Sequence, residues 1–350
     1  MPTEDRSAVS SIISELEERM SSKIICYLTG DRPNMPTQIA PDVIYRFRRL
    51  LEQIGEVESI ALFLYSRGGD TNVPWRLVNL IREYCKRLIV LVPFRAHSAA
   101  TMIALGADRI YMGKMAELSP IDPKVVNPFN PPDPANPAAR VPISVEDVDA
   151  FRELAERFGQ KDASALVKQQ AFAALVAKVE PLALGNVQRS YAQIRELAKN
   201  LLELHMKDHG DDANKKIDKI VATLTQRLYS HEHLINRQEA KAMGLEVECV
   251  DSSLDQLFWK LFSHYLNEMK LERPFNPQEE LKEQAAAPFA LRRAFIESFA
   301  LTDAFVSAGT ITRRPPGAFQ LPPGAPVMQG LQFQMPIALE MKQEGWQEIR

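Results

Sequence analysis

Two apolar runs of strand length each end in a turn built from small residues. Ile60-Ala-Leu-Phe-Leu-Tyr65 runs into Ser66-Arg-Gly68-Gly69-Asp70, and Leu88-Ile-Val-Leu-Val92 runs on to Ala96-His97-Ser98-Ala99-Ala-Thr101. A helical pattern follows each turn, so both turns stand at strand-to-helix junctions. A serine there holds its oxygen near the first, unpaired amides of a helix, where developing negative charge is favoured. Gly68 and Gly69 lack side chains, so a substrate carbonyl can approach their amides closely. The chemistry implied is acyl transfer, with Ser98 as nucleophile and the amide of Ala99, plus that of Gly68 or Gly69, as oxyanion hole. A serine before alanines is also an ordinary helix N-cap; the Gly-Gly turn one strand earlier tips the reading to catalysis. There is no Gly-x-Ser-x-Gly elbow, so an ordinary α/β-hydrolase is not expected.

The elements that must position these turns are legible from periodicity. A helix is expected over 7–22 with Ser7 as cap, a strand over 24–28 and a helix over 41–54. Strand-helix units follow at 60–84 and 88–106, and a short strand at 110–112. Strands alternating with helices predict a largely parallel sheet. Residues 127–142 carry six prolines, which no regular element tolerates. Helices are expected over 144–159, 162–178, 187–208 (amphipathic, one face buried), 215–229, 237–243 (ended by Gly244) and 254–269. Beyond Pro274 the character changes. Residues 289–306 read as helical, 314–326 as an extended Pro-rich linker, and Leu331-Gln-Phe-Gln-Met335 as an alternating run able to add a strand. The expected division is a catalytic domain at 1–274 and an extension at 275–350, with a cut after Thr312 leaving the domain folded but changing activity or subunit assembly.

At the two turns the chain resembles the Clp protease and signal-peptide-peptidase clan, and within it the serine dehydrogenase proteinase family. The blocks that carry the resemblance are Ser-Arg-Gly-Gly-Asp70, the run from Ala96 to Asp108, Ala116-Glu-Leu-Ser-Pro-Ile-Asp122-Pro, and Tyr229-Ser-His231-Glu-His233 through Gly244-Leu. They cover roughly residues 20 to 265 discontinuously, and their order is more specific than any one of them. The resemblance implies an α/β ClpP/crotonase-like fold of repeated β-β-α units, with a largely parallel sheet, a helical insertion and a C-terminal extension. It also implies peptide or unfolded-protein substrates and assembly into a homo-oligomer. A separate ATPase or adaptor remains open.

A serine nucleophile needs a base. Clp proteases run Ser, His, Asp, but the segment that should carry their histidine reads Ser119-Pro-Ile-Asp122 here, and no histidine lies between His97 and His205. The serine dehydrogenase proteinase family has been assigned the order Ser, Asp, His. The resemblance therefore implies Ser98, Asp122 and His231, with Asp122 fixing the imidazole tautomer; a triad is defined by geometry, not chain order. His233 is the alternative imidazole. A lysine, as in the signal-peptide-peptidase branch, is the other alternative, and Lys161, Lys168 and Lys178 lie in the right region; such a base needs an apolar setting. His97, the nucleophile's chain neighbour, is expected to be structural, Asp70 to close the glycine turn and Asp108 to end a helix.

Composition bounds the rest. The chain has 350 residues and a formal net charge of −3, which argues against nucleic acid as partner. Cys26, Cys85 and Cys249 are odd in number, far apart and set among apolar residues, as reduced core thiols are. Neither metal-ligand spacing nor a Gly-rich phosphate loop is present, so no cofactor is expected. The absence of a signal-peptide pattern and of a spanning segment predicts a cytoplasmic protein with no membrane contact. Two other classes compete with a peptidase: a ClpP-like scaffold that has lost its chemistry, and a crotonase-like acyl-CoA enzyme.

Overall fold

The computed structural model describes residues 3–121, 124–125, 127–158, 164–207, 212–227, 233–313 and 337–349. In chain order come α1 (Thr3–Met20), β1 (Lys23–Thr29), α2 (Val43–Ile54), β2 (Val57–Tyr65), α3 (Val73–Arg82), β3 (Cys85–Val92), β4 (Arg95–Ala96), α4 (Ala99–Leu105), β5 (Arg109–Met112) and β6 (Glu117–Leu118). The middle holds β7 (Lys124–Val125), β8 (Ile143–Ser144), α5 (Val145–Phe158), α6 (Ser164–Val176), α7 (Pro181–Met206) and α8 (Ala213–Ala222), which runs into a π-turn at Thr223–Arg227. The last third holds β9 (Ile235–Asn236), α9 (Arg237–Met243), β10 (Val247–Cys249), α10 (Ser252–Glu268), α11 (Pro277–Leu281), β11 (Ala286–Glu297), β12 (Thr302–Arg313) and β13 (Ile337–Glu348).

An eight-stranded sheet in the order β10-β5-β3-β2-β1-β11-β12-β13 forms the frame. The five strands from β10 to β1 are parallel, as the alternation of strands and helices predicts. Both faces of these strands are covered, which is why they read as unbroken apolar runs. Ile60, Leu62 and Leu64 of β2 face a core with Phe47 of α2, Leu77 of α3, Met102 of α4 and Leu201 of α7. Ala61, Phe63 and Tyr65 face the opposite core with Leu16 of α1 and Phe258 and Phe262 of α10. Both Cys26 and Cys85 are buried free thiols; burial pushes the Cys85 thiol up to about 11, as suits a reduced core residue.

The helix expected over 289–306 is not there. That segment lies in β11 and β12, an antiparallel pair, and β11 pairs antiparallel with β1. Ala287, Phe289 and Leu291 are buried at alternate positions, and pairing beside β1 overrides the helix propensity of the alanines. β13 then pairs with β12 from Asp303↔Glu348 to Arg313↔Ile337. The linker 314–326 and the run Leu331–Met335 lie outside the described residues. The proline-rich loop is closed at its base by the β7–β8 pair.

A second, three-stranded sheet, β4-β6-β9, positions the site. Ala96 pairs with Leu118 in parallel, and Leu118 with Ile235 antiparallel. Among the described residues no helix is long and apolar enough to cross a membrane.

Candidate active site

The first turn is fixed by hydrogen bonds from the amides of Ser66, Gly68 and Asp70. Past β2 the chain lies beside β4: Ser66 N–H donates to the Arg95 carbonyl and His97 N–H to the Ser66 carbonyl, both at 2.9 Å. The Ser66 hydroxyl, bonded to Thr29 Oγ1 at 2.7 Å, accepts from Gly68 N–H at 3.0 Å. On the other side the Gly68 carbonyl accepts from Ile39 N–H, and Asp70 N–H donates to the Ile39 carbonyl. Gly69 N–H is left without a partner among the described residues. Asp70 closes the turn by accepting from Asn72 N–H at 2.9 Å. Glycine is required at both central positions. Gly68 has φ +104, and a Cβ there would stand 2.8 Å from Ser98 Cβ; at Gly69 it would stand 2.2 Å from the Ile39 carbonyl oxygen.

Ser98 sits directly over this turn in a conformation rare for an L-residue, φ 50 and ψ −114. Its amide donates to Ser119 Oγ at 2.8 Å, and its carbonyl accepts from Met102 N–H in the first turn of α4. Thr101 anchors Ser119 in turn, accepting the Ser119 N–H at 3.1 Å while its own hydroxyl bonds the Ala96 carbonyl at 2.7 Å. The Ser98 side chain makes no cap bond to α4. Its hydroxyl, and the amide of Ala99, have no hydrogen-bond partner among the described residues. The Ala99 nitrogen lies 3.3 Å from where a Gly68 Cβ would be, so both turns meet at one point.

Below the serine runs a chain of polar groups. Tyr65 Oη donates to Asp31 Oδ1 at 2.7 Å, Arg95 reaches Asp31 Oδ2 and Glu117 Oε1 at 3.1 Å each, and His97 Nε2 lies 3.1 Å from Glu117 Oε1. Burial and then Asp31 push the Tyr65 hydroxyl well above its usual range, so it serves as a donor. Burial opposes the Arg95 charge, but Tyr65, Glu117 and Asp31 together hold its pKa above the ordinary value. The network fastens β4 to β2 and β6 and holds His97, expected to be structural, against Glu117. Ser66, Thr101 and Ser119 have the same kind of duty. Ser119 stands in the motif Leu-Ser-Pro-Ile-Asp, which was its only signal in the sequence.

Asp122 and His231 lie outside the described residues. Their described flanks converge: Ile121 N–H donates to the Leu224 carbonyl in the π-turn at 3.1 Å, and β6 and β9 pair side by side. His233 Nε2 lies 2.8 Å from Glu239 Oε1 on α9. Lys168 and Lys178 are exposed, Lys168 on α6, which packs against α5; Lys161 is outside the described residues. Asp108 accepts from Leu88 N–H and from Arg82 just past α4. No group of three or more His, Cys, Asp or Glu side chains that could hold a metal occurs among the described residues.

No protein-family profile matches the chain. It is similar to Uncharacterized protein MJ0137 of Methanocaldococcus jannaschii, 27% identical over 189 residues, which are 54% of this chain and 53% of that protein. It is also similar to Uncharacterized protein MJ1495 of the same organism, 24% identical over 188 residues, 54% of this chain and 51% of that protein. The chain thus spans about half the length of the curated relatives it matches. Among solved structures it is similar to 1510-N, a membrane-bound stomatin-specific protease, in a mutant form with a substrate peptide: 18% identity, 66% of this chain and 78% of that one, TM-score 0.37. A probable enoyl-CoA hydratase/isomerase from Mycobacterium abscessus is similar at 11% identity over 72% of this chain and 94% of that one, TM-score 0.24.

Proposed function

We propose that the chain is a serine hydrolase acting as a peptidase, with Ser98 as nucleophile and the amides of Gly69 and Ala99 as oxyanion hole. The observation that carries this is the strained Ser98 backbone, φ 50 and ψ −114, whose hydroxyl, like the amides of Ala99 and Gly69, has no hydrogen-bond partner among the described residues. A serine kept only to cap α4 would turn its oxygen onto the helix amides. Strain of this kind persists only where neighbours enforce it, and it clusters at working sites. Of the two glycines, Gly69 supplies the amide, because Ser66 already takes that of Gly68. Attack by Ser98 Oγ on the scissile carbonyl forms the C–O bond and pushes the electron pair onto the carbonyl oxygen, where the two amides receive it. The serine proton passes to the base and on to the leaving amine; water then hydrolyses the acyl-enzyme. No metal or organic cofactor is needed for these steps.

The base in this reading is His231, oriented by Asp122. Its support is directional. β4 and β6 run parallel and β9 runs against them, so the segments leading on to Ser98, on to Asp122 and back to His231 leave the small sheet at the same end. The Nε2 of His233 is engaged by Glu239, and exposed Lys168 lacks the apolar setting a lysine base requires. The clan resemblance adds extended peptides as substrates and a homo-oligomeric assembly.

A fluorophosphonate probe tests the nucleophile. The wild-type chain should take up close to one label per chain, and Ser98→Ala should lose both label and peptide turnover with an unchanged circular dichroism spectrum. Residual turnover above a few per cent in pure Ser98→Ala would sink the assignment. A folded wild-type chain that takes no label would instead be the scaffold protein.

A further inference from the structure

Three residues beyond β1, an arginine is buried with too few partners. Arg32 is 6% exposed. Its Nε donates to the Arg273 carbonyl at 2.9 Å, and its guanidinium carbon lies 5.4 Å from the Phe275 ring centroid. The two terminal nitrogens have no hydrogen-bond or ion-pair partner among the described residues. Burial pulls its pKa down, and the nearby Glu280 offsets this only in part.

Arg32 lines a cavity of about 510 Å³ walled by the end of α10, by β11 and by the end of β13. Four cationic side chains line it, Arg32, Lys270, Arg292 and Arg293, against two carboxylates, Glu268 and Glu348. Those carboxylates are already taken: Glu268 pairs with Arg292, and Glu348 with Arg49 at 3.2 Å. Arg293 pairs with Glu344 at 2.6 Å. Arg32 and the exposed Lys270 make no ion pair with an acidic side chain among the described residues. The wall is close-packed: Gly30 N–H donates to the Arg293 carbonyl at 2.8 Å, and a Cβ at Gly30 would stand 2.8 Å from that same oxygen.

We propose that this cavity binds a small anion of metabolite size whose phosphoryl or carboxylate oxygens bridge the Arg32 guanidinium and the Lys270 ammonium. The planar guanidinium fork matches either group in two parallel bonds. Arg32 is 6% exposed and lines the cavity, so an anion there meets a partly desolvated cation that has no counter-ion in contact among the described residues. The volume lies within the range of small-molecule sites, about 300–1,000 Å³. The site is separate from Ser98, although the preceding residue, Asp31, belongs to the network under the serine.

Calorimetric titration of the full chain at low salt, with pyrophosphate in one arm and citrate in the other, tests this. One saturable site per chain is expected with at least one probe; binding of pyrophosphate alone assigns a phosphoryl ligand, and of citrate alone a carboxylate. Arg32→Met should abolish it. Lys270→Asn should weaken it on the order of 10-fold, and asparagine tolerates the φ of 53 found at Lys270. Lys215→Gln, at the exposed start of α8 and paired with Asp212, should leave binding unchanged. Should Arg32→Met fail to fold, Lys270→Asn decides. No binding of either probe, or equal binding in wild type and Lys270→Asn, overturns the proposal.

Discussion

At Ser98 the backbone adopts φ 50 and ψ −114, a pair that an L-residue keeps only when neighbours hold it. The holding groups are the Ser119 hydroxyl on its amide and the first turn of α4 on its carbonyl. Removing the Ser119 hydroxyl should therefore cost position more than stability. In Ser119→Ala the rate of fluorophosphonate labelling should fall on the order of 10-fold or more, while unfolding free energy drops by about 1 kcal/mol, as for one buried hydrogen bond. Labelling kinetics beside a denaturant titration measures both. An unchanged labelling rate would mean that the turn holds its shape without Ser119.

Among the elements, the small sheet β4-β6-β9 is what brings distant segments to the serine. If the segment before β9 delivers the base, His231→Ala should cost on the order of 10³-fold in turnover, and Asp122→Asn should approach it. His233→Ala should lose far less, since it breaks only a partly exposed contact with Glu239. Equal mild effects at both histidines would return a lysine to first place. The joint between α4 and α7 titrates separately. His205 on α7 donates from Nε2 to the Leu105 carbonyl at 2.9 Å, and burial lowers its pKa below the usual value near 6.5. Below that value the unfolded chain binds the proton more tightly than the folded one, so stability falls as pH drops through 6.5 toward the folded pKa. Melting temperatures from pH 7 to 5 should fall in wild type and fall less steeply in His205→Gln; parallel curves would refute this.

For the whole molecule, the three C-terminal strands extend the frame across the edge that β1 would otherwise present. β13 reaches back to α2: Trp346 Nε1 donates to Asp42 at 2.9 Å, Arg46 donates to the Trp346 carbonyl, and the Trp346 ring meets Phe305 edge-on. Cutting after Thr312 strips β13 and leaves β12 as a bare edge with unpaired amides. The truncated chain should melt several degrees lower and lose monodispersity in light scattering. Equal melting temperatures would make β13 dispensable to the fold.

The local signals in the chain were sufficient for the parallel half of the sheet and for both turns of the site. Apolar runs covered on both faces and small residues at strand-to-helix junctions are properties of contiguous residues, so periodicity and turn chemistry report them. They could not tell Gly68 from Gly69 as the available amide, because the hydroxyl that occupies Gly68, that of Ser66, is itself set by Thr29 on another strand. They read 289–306 as helix, because only the β1 edge, roughly 270 residues earlier in the chain, gives the first part of that segment a strand to pair with. The same limit hid Ser119 and the chain from Tyr65 to His97. Each of those contacts joins residues far apart in sequence, and non-local pairing is what tertiary structure alone decides.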